Sequence, residues 1–450
     1  MRILLAVHAF PPRSTAGVEV YTLRLARALV ALGHDVLVLS ASHDLGAAPF
    51  EVRRREHEGL SIVEVNNTHH RGTLQATWDS PEIDHAGRAL FEDWRPDVVH
   101  FQHLLNLSSG LIDEAKRARI RTVFTLHDYW LSCPRDGLRM RADLELCATM
   151  DHAVCADCLG DSPYLVPALQ RGAAAGLRAV GLGRALHRLR EAAPRLAEGA
   201  LGVLRSAAPR LDGLAVAMDR RRDGLRAALE AVDLFVAPTR FARDRAVGAG
   251  VGAERISVSS LGIATHAPRP RPRGPRRRLG YVGTLAPHKG VHALVDAFHG
   301  LRRDDVTLDL FGSPSVFPAY ARDLERRASG DARIRFCGVF PEGNQERVLA
   351  ALDALVLPSL WWENSPISVL ESLAAGLAVV ASRTGGVPEI LPEGAGVLVE
   401  PGDHKGLSNA ILGLATGALL ADPHPAWPVK TVEAGAQELL ELYAALTSSG

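Results

Sequence analysis

Two carboxylates in the stretch WWENSPISVLESLAAG, Glu363 and Glu371, lie eight positions apart with a proline between them. Acids that share one helix face stand three or four positions apart, so this spacing needs another cause. Ser365 and Pro366 supply it. Serine is a preferred N-cap and proline is tolerated at the first helical position, so a helix is expected to begin at Pro366. The residue before a proline is biased away from helical geometry, which leaves Glu363 on the preceding loop. Glu371 falls inside the helix, roughly 8 Å along its axis at about 1.5 Å per residue. Between the acids lies a helix N-terminus, with unpaired N–H groups and the positive end of the dipole, which is a site for phosphate. A diphosphate seated there, against Ser365 and Ile367, would have one carboxylate near each end. Carboxylates accept hydrogen bonds from sugar hydroxyls, so the arrangement suits a nucleotide-sugar, with ribose at one glutamate and the second sugar at the other. The plain alternative is a solvated loop glutamate followed by an ordinary helical one.

Other residues have chemistry of their own. Lys289 sits in a Pro-His-Lys-Gly turn between a strand and a helix, where a bare surface charge is the simplest expectation. Gly17 lies in the first strand-to-helix loop, where a missing side chain lets backbone approach a phosphate or an acceptor. His127 and Asp128 end a strand. Cys133, Cys147, Cys155 and Cys158 follow the pattern C-x13-C-x7-C-x2-C. Four thiols with a C-x-x-C pair are a candidate structural zinc site, a staple for the loop after HDYWLSCPR, with buried unligated cysteines as the alternative. Cys337 falls in an apolar strand and is expected to be an inert core residue.

The elements that must position these groups alternate regularly. RILLAV precedes the helical VEVYTLRLARALVALG and the strand DVLVLS; DVVHFQ, RTVFTL, DLFVAP and ISVSS continue the rhythm. It restarts with RLGYVG, VTLDLFG, IRFCG, ALVLPS, AVVAS and GVLVE. Continuous apolar strands separated by helices imply parallel sheets covered on both faces. At 450 residues, 47% hydrophobic and 23% charged, the chain is long enough for two such domains. The expected division is an N-terminal Rossmann-like domain over 1–263, a Pro/Arg-rich linker over 264–278, a second Rossmann-like domain over 279–430 and a C-terminal helix over 431–450. Ligands of such sheets bind beyond the carboxyl ends of the strands, so the natural site is the cleft between the domains.

Net charge is zero, which gives no reason to expect nucleic-acid binding. No apolar run approaches the length of a membrane span, and MRILLAVHAFPP reads as a first strand rather than a signal peptide. A cytoplasmic chain with reduced cysteines is expected. A helical insertion over about 160–230 stands apart: from Arg171 to Glu230 twelve arginines face six acids. It reads either as a solvated helical insertion or as an interfacial helix making peripheral contact with anionic lipid at the inner face of the membrane.

The order of strand, LPS, Glu363-x7-Glu371, AAG, AVVAS and GGVPEI resembles the donor-binding core of the retaining glycosyltransferases of family 4, which have the GT-B fold. HAFPPRSTAGVEVYTLRLARALVALGHDV is similar to that family's opening, its Gly-Gly-x-Glu signature appearing as Ala16-Gly17-Val18-Glu19. TLHDYW, YVGTLAPHKGVHALVDAF and GVLVEPGDHKGLSNAI match in the same order. The resemblance implies an α/β GT-B architecture with the last helix packing back. It implies a UDP- or GDP-sugar donor and a glycan, lipid-linked or small-molecule acceptor, with no cofactor required for transfer. It places Lys289 at the donor diphosphate, His127 at the transferred sugar and Gly338 at the base, with Glu363 positioning the sugar. Thr284 stands where family members often carry arginine, and Arg383 is the expected substitute; Glu389 is a further donor-pocket candidate. Two other readings share the fold: a nucleotide-sugar 2-epimerase and a non-catalytic nucleotide-sugar-binding subunit.

Overall fold

The computed structural model describes residues 1–450 apart from 45, 68–73, 136, 142, 152–153, 156–157, 160–213, 266–273, 421–426 and 449–450. Its first sheet is built from β1 (Arg2–Val7), β2 (Asp35–Ser42), β3 (Val52–His57), β4 (Leu60–Asn66), β5 (Val98–Phe101), β6 (Arg121–Thr125), β7 (Leu234–Ala237) and β8 (Ile256–Val258), in the order β3-β4-β2-β1-β5-β6-β7-β8. Every pairing is parallel except that of β3 with β4. The exception has a local cause: only Glu58 and Gly59, both with positive φ, separate β3 from β4, and a two-residue hairpin makes the pair antiparallel. VRRREH alternates between exposed and half-buried positions, the period of an edge strand with one wet face, unlike the continuously buried β1.

The second sheet comprises β9 (Arg278–Val282), β10 (Thr307–Phe311), β11 (Ile334–Gly338), β12 (Ala354–Leu357), β13 (Ala378–Ser382) and β14 (Gly396–Val399). Its order is β11-β10-β9-β12-β13-β14, all parallel. Both sheets reverse strand order beside their first strand, at β1/β5 and β9/β12. These switch points are where a ligand crevice opens.

The helix Val432–Ser448 follows the second sheet in sequence but joins the first domain in space. Ala436, Leu439 and Tyr443 share a core with Ile3, Leu5, Leu29 and Val38. Tyr443 Oη lies 2.5 Å from His100 Nδ1, and His100 Nε2 lies 2.7 Å from Thr125 Oγ1. Thr431 pairs with Ile263 in an isolated parallel bridge, which leads the chain back across.

The end of the expected linker is ordered structure. Arg276 is buried and its N–H donates to Leu414 O at 2.8 Å, while the Arg277 and Arg278 N–H groups both donate to Asp353 Oδ2. Backbone pairing thus draws these basic residues into the second domain. Most of the arginine-rich insertion lies outside the described residues, which resume with the helix Leu214–Glu230. There Arg221 is buried, bonded to Trp130 O with its guanidinium 5.2 Å from the Trp130 ring centroid. Arg222 and Arg226 pair with acids of their own helix. Arg221 is thus held in the fold, while the Arg222 and Arg226 side chains stay exposed. No helix among the described residues is long and apolar enough to cross a membrane.

Candidate active site

A cavity of about 460 Å³ lies between the domains. Its walls combine residues that follow β1, β5 and β6 with residues that follow β9, β10, β11 and β12. It brings together Gly17, His127, Thr284, Lys289, Gly338, Glu363, Ser365, Ile367 and Glu371. Two other hollows, of about 780 and 900 Å³, lie outside this cleft and share none of these residues.

Glu363 is almost fully buried. Lys289 Nζ stands 2.8 Å from its Oε1 and 4.6 Å from the Trp361 ring centroid, and Ser359 Oγ donates to the same oxygen at 2.5 Å. Two glycines make this approach possible. Gly290, after the turn Pro287–Lys289, has φ +68°, and a Cβ there would meet Pro358 O at 2.0 Å. Gly385 has φ +58°, and a Cβ there would meet Glu363 O at 1.9 Å. Asn364 pins the loop from the opposite domain: its Nδ2 donates to Leu126 O at 2.5 Å, and Thr239 Oγ1 donates to its Oδ1 at 3.2 Å.

The following helix begins at Ile367, not at Pro366. Pro366 keeps an extended ψ of 114° and acts as N-cap, its carbonyl accepting from Val369 at 3.0 Å. Ser365 Oγ caps nothing; it is buried without a hydrogen-bond partner among the described residues. A Cβ on Gly17 would lie 3.8 Å from Ile367 Cδ1, so the start of the helix Gly17–Ala31 faces that of the helix Ile367–Ala374. Two sets of free helix N–H groups converge on one cavity. Glu371 is 8% exposed, and Arg24 of the first domain donates to it at 2.7 Å.

The first-domain wall is a polar network. His127 Nε2 lies 2.8 Å from Gln102 Oε1, and burial together with the neighbouring His103 pushes its pKa down to about 3. The ring is neutral at physiological pH and serves as a hydrogen-bonding group. His103 Nδ1 accepts from the Leu105 N–H at 2.9 Å, so its Nε2 carries the proton toward Asp128, 2.7 Å away. Glu19 is buried, which raises its pKa, yet His8 at 3.2 Å and the Ser14 hydroxyl at 2.7 Å bring it down to about 2. The fourth position of the Ala-Gly-Val-Glu signature is thus an ionised carboxylate held in the wall. Thr284 lines the cavity and its carbonyl accepts from Tyr281 Oη at 2.7 Å.

Three expectations are corrected and a fourth is left without support. Arg383 is not among the residues that line the cavity; its exposed side chain pairs with Glu400 at 3.1 Å. Glu389 also lies outside it; its carboxylate accepts the N–H groups of Arg240 and Phe241, capping the helix Arg240–Gly248 of the other domain. Cys337 is exposed rather than in the core, because β11 is the outer strand of its sheet. The zinc staple finds no support: among the described residues no group of three or more His, Cys, Asp or Glu side chains is placed to hold a metal ion. Cys133, Cys147, Cys155 and Cys158 are free thiols, with Arg135 Nη1 3.4 Å from Cys158 Sγ. The same loop is packed through apolar contacts, with Tyr129 and Met140 against Trp361.

The comparisons with known proteins bear on the family and the fold. Residues 16–159 match the family described as a glycosyl transferase 4-like domain, and residues 276–416 match the glycosyl transferases of group 1. The chain belongs to glycosyltransferase family 4. It is 30% identical over 221 residues to an alpha-maltose-1-phosphate synthase of Mycolicibacterium smegmatis, covering 44% of this chain but only 56% of that enzyme. It is 26% identical over 430 residues to a glycogen synthase of Mycobacterium tuberculosis, covering 91% of this chain and 85% of that one. Among solved structures, the Anabaena protein Alr3699/HepE in complex with UDP-glucose superposes with a TM-score of 0.57 at 16% identity, covering 100% of this chain and 98% of that one. Sucrose-phosphate synthase from Thermosynechococcus elongatus superposes with a TM-score of 0.61 at 16% identity, covering 100% and 96%. Both support the GT-B fold of this family 4 glycosyltransferase.

Reading the sequence missed Arg24, His8, His103 and Asn364. Arg24 is one of two arginines in LRLARAL, and nothing local marks it. His8 and His103 each follow a strand that ends at a switch point, a topological signal that strand order would have supplied.

Proposed function

We propose that this glycosyltransferase moves a sugar from a nucleoside-diphosphate donor to a hydroxyl of a glycan, lipid-linked or small-molecule acceptor, with retention at the anomeric carbon. One observation carries the reading. Lys289, Glu363, Glu371 and a helix start with an unpartnered Ser365 hydroxyl line one cavity, opposite Gly17 and His127 of the other domain. Lys289 and the helix N–H groups offset the diphosphate charge as it grows on the leaving group. Glu371 accepts ribose hydroxyls, the backbone at Gly338 meets the base, and Glu363 with His127 orients the transferred sugar. The bond from the anomeric carbon to the diphosphate breaks while the acceptor oxygen bonds on the same face. The acceptor proton passes to the departing phosphate oxygen. With Thr284 in place of arginine and Arg383 not among the residues that line the cavity, Lys289 takes the larger share of the charge.

A thermal-shift screen of UDP-, GDP- and ADP-sugars tests the donor, since a ligand that binds only the native state raises apparent stability by mass action. Transfer assays on Glu363→Ala and Lys289→Ala then test the roles. Each variant should stay folded and lose orders of magnitude in turnover, and near-normal transfer by either contradicts the role assigned to it. Donor conversion without any acceptor would mark an epimerase instead.

A further inference from the structure

Arg24 belongs to the first domain, in the second turn of the helix Gly17–Ala31, yet its guanidinium holds two carboxylates of the second. Nη1 donates to Glu371 Oε1 at 2.7 Å and Nε donates to Glu342 Oε1 at 2.9 Å. Arg24 is 7% exposed, and all three residues line the cleft cavity. Glu342 lies four residues beyond Gly338, on the segment that leaves β11.

We propose that Arg24 is a positioning residue for the nucleoside end of the donor, a clasp that orients Glu371 and holds the second domain against the first. The proposal rests on the donor reading above. A carboxylate has about four lone-pair sites, so one bond from Arg24 leaves Glu371 able to accept ribose hydroxyls while fixing its direction and charge. The planar fork of arginine reaches both carboxylates at once, which the point charge of lysine does less well. Because the guanidinium comes from the opposite domain, Glu371 is held this way only while the cleft is closed. Opening the cleft separates the guanidinium from both carboxylates and returns all three groups to water. A nucleoside that prefers the oriented Glu371 therefore favours the closed arrangement, in which Gly17 and His127 face the transferred sugar.

The test is calorimetric titration of the full chain with UDP, GDP and ADP, using whichever binds most tightly for the variants Arg24→Gln, Arg24→Lys, Glu342→Gln and the double variant Arg24→Gln/Glu342→Gln. Arg24→Gln should weaken binding at least tenfold, with Arg24→Lys between it and the native protein. In transfer assays the donor KM should rise by the same factor while kcat changes less than threefold. Glu342→Gln should weaken binding a few-fold, and the double variant should bind no worse than Arg24→Gln, because Glu342 acts through Arg24. Native or tighter binding by Arg24→Gln overturns the clasp, as do additive losses in the double variant. Circular dichroism checks folding; should Arg24→Gln not fold, Glu342→Gln decides, and unchanged affinity there overturns the proposal. If the native protein binds none of the three nucleotides, the donor reading itself fails and the clasp with it.

Discussion

Replacing Lys289 with methionine separates what its charge does for the fold from what it does for the reaction. The ammonium lies 2.8 Å from a carboxylate that is 3% exposed. At an effective dielectric near 20 their gross attraction is about 6 kcal/mol, most of it offset by the cost of taking both charges out of water. Removing the cation alone leaves Glu363 charged and buried, with Ser359 as a remaining donor. Breaking a buried pair costs about 3–5 kcal/mol, and the 19% exposure of the Lys289 side chain places this one at the lower end, about 3 kcal/mol. Losing a cation at the leaving group should also cost about 10²–10³ in kcat. Adding Glu363→Gln removes the stranded charge. The double variant should therefore recover most of the lost stability while recovering no activity. Urea unfolding and transfer at saturating donor, measured on the two single variants and the double, read both quantities. Stability losses that simply add would refute the buried-pair argument; turnover by Lys289→Met within tenfold of native would refute the catalytic one.

Other consequences follow from the same geometry. Burial, with a smaller contribution from His127, lowers the His100 pKa to about 3, against an unfolded value of about 6.5. Between those values the unfolded chain binds the extra proton, so stability falls as pH drops through 6.5, by about 2 kcal/mol at pH 5 from this residue alone. Urea unfolding at pH 7.5 and 5.0 measures the loss, and His100→Gln should flatten the slope. Tyr443→Phe should cost about 1–3 kcal/mol by leaving a buried His100 nitrogen unpaired, with donor KM unchanged. Gly385→Ala drives a Cβ against Glu363 O and should cut kcat by at least tenfold, an effect absent in Gly330→Ala, where a Cβ meets nothing within 4 Å. Because His127 is already neutral, the pH profile of transfer should show no histidine limb between pH 5 and 8 attributable to it, and His127→Asn should leave the shape of that profile unchanged.

Much of this was legible without coordinates. The separation of Glu363 from Glu371 by a helix start follows from proline stereochemistry and capping preference, which act over one to four residues. Lys289 read by itself only as a surface charge in a glycine-ended turn, and the family resemblance supplied its expected place at the diphosphate. Local rules also failed locally: Pro366 keeps an extended ψ and stands outside the helix, since a fixed φ does not dictate ψ.

The amino-acid order by itself determined the alternation of strand and helix, the two-domain division and the loop that presents the donor-side residues, because hydrophobic period and turn chemistry are short-range properties. Only the tertiary structure decided which way each side chain faces. Arg383 and Glu389 sit in the expected segments yet turn to Glu400 and to the helix Arg240–Gly248, while Arg24 finds its carboxylates 347 and 318 positions away. Charge pairing across a domain interface depends on distances that sequence separation does not encode. Local sequence could mark the loop that carries Glu363, but packing chose the residues around it.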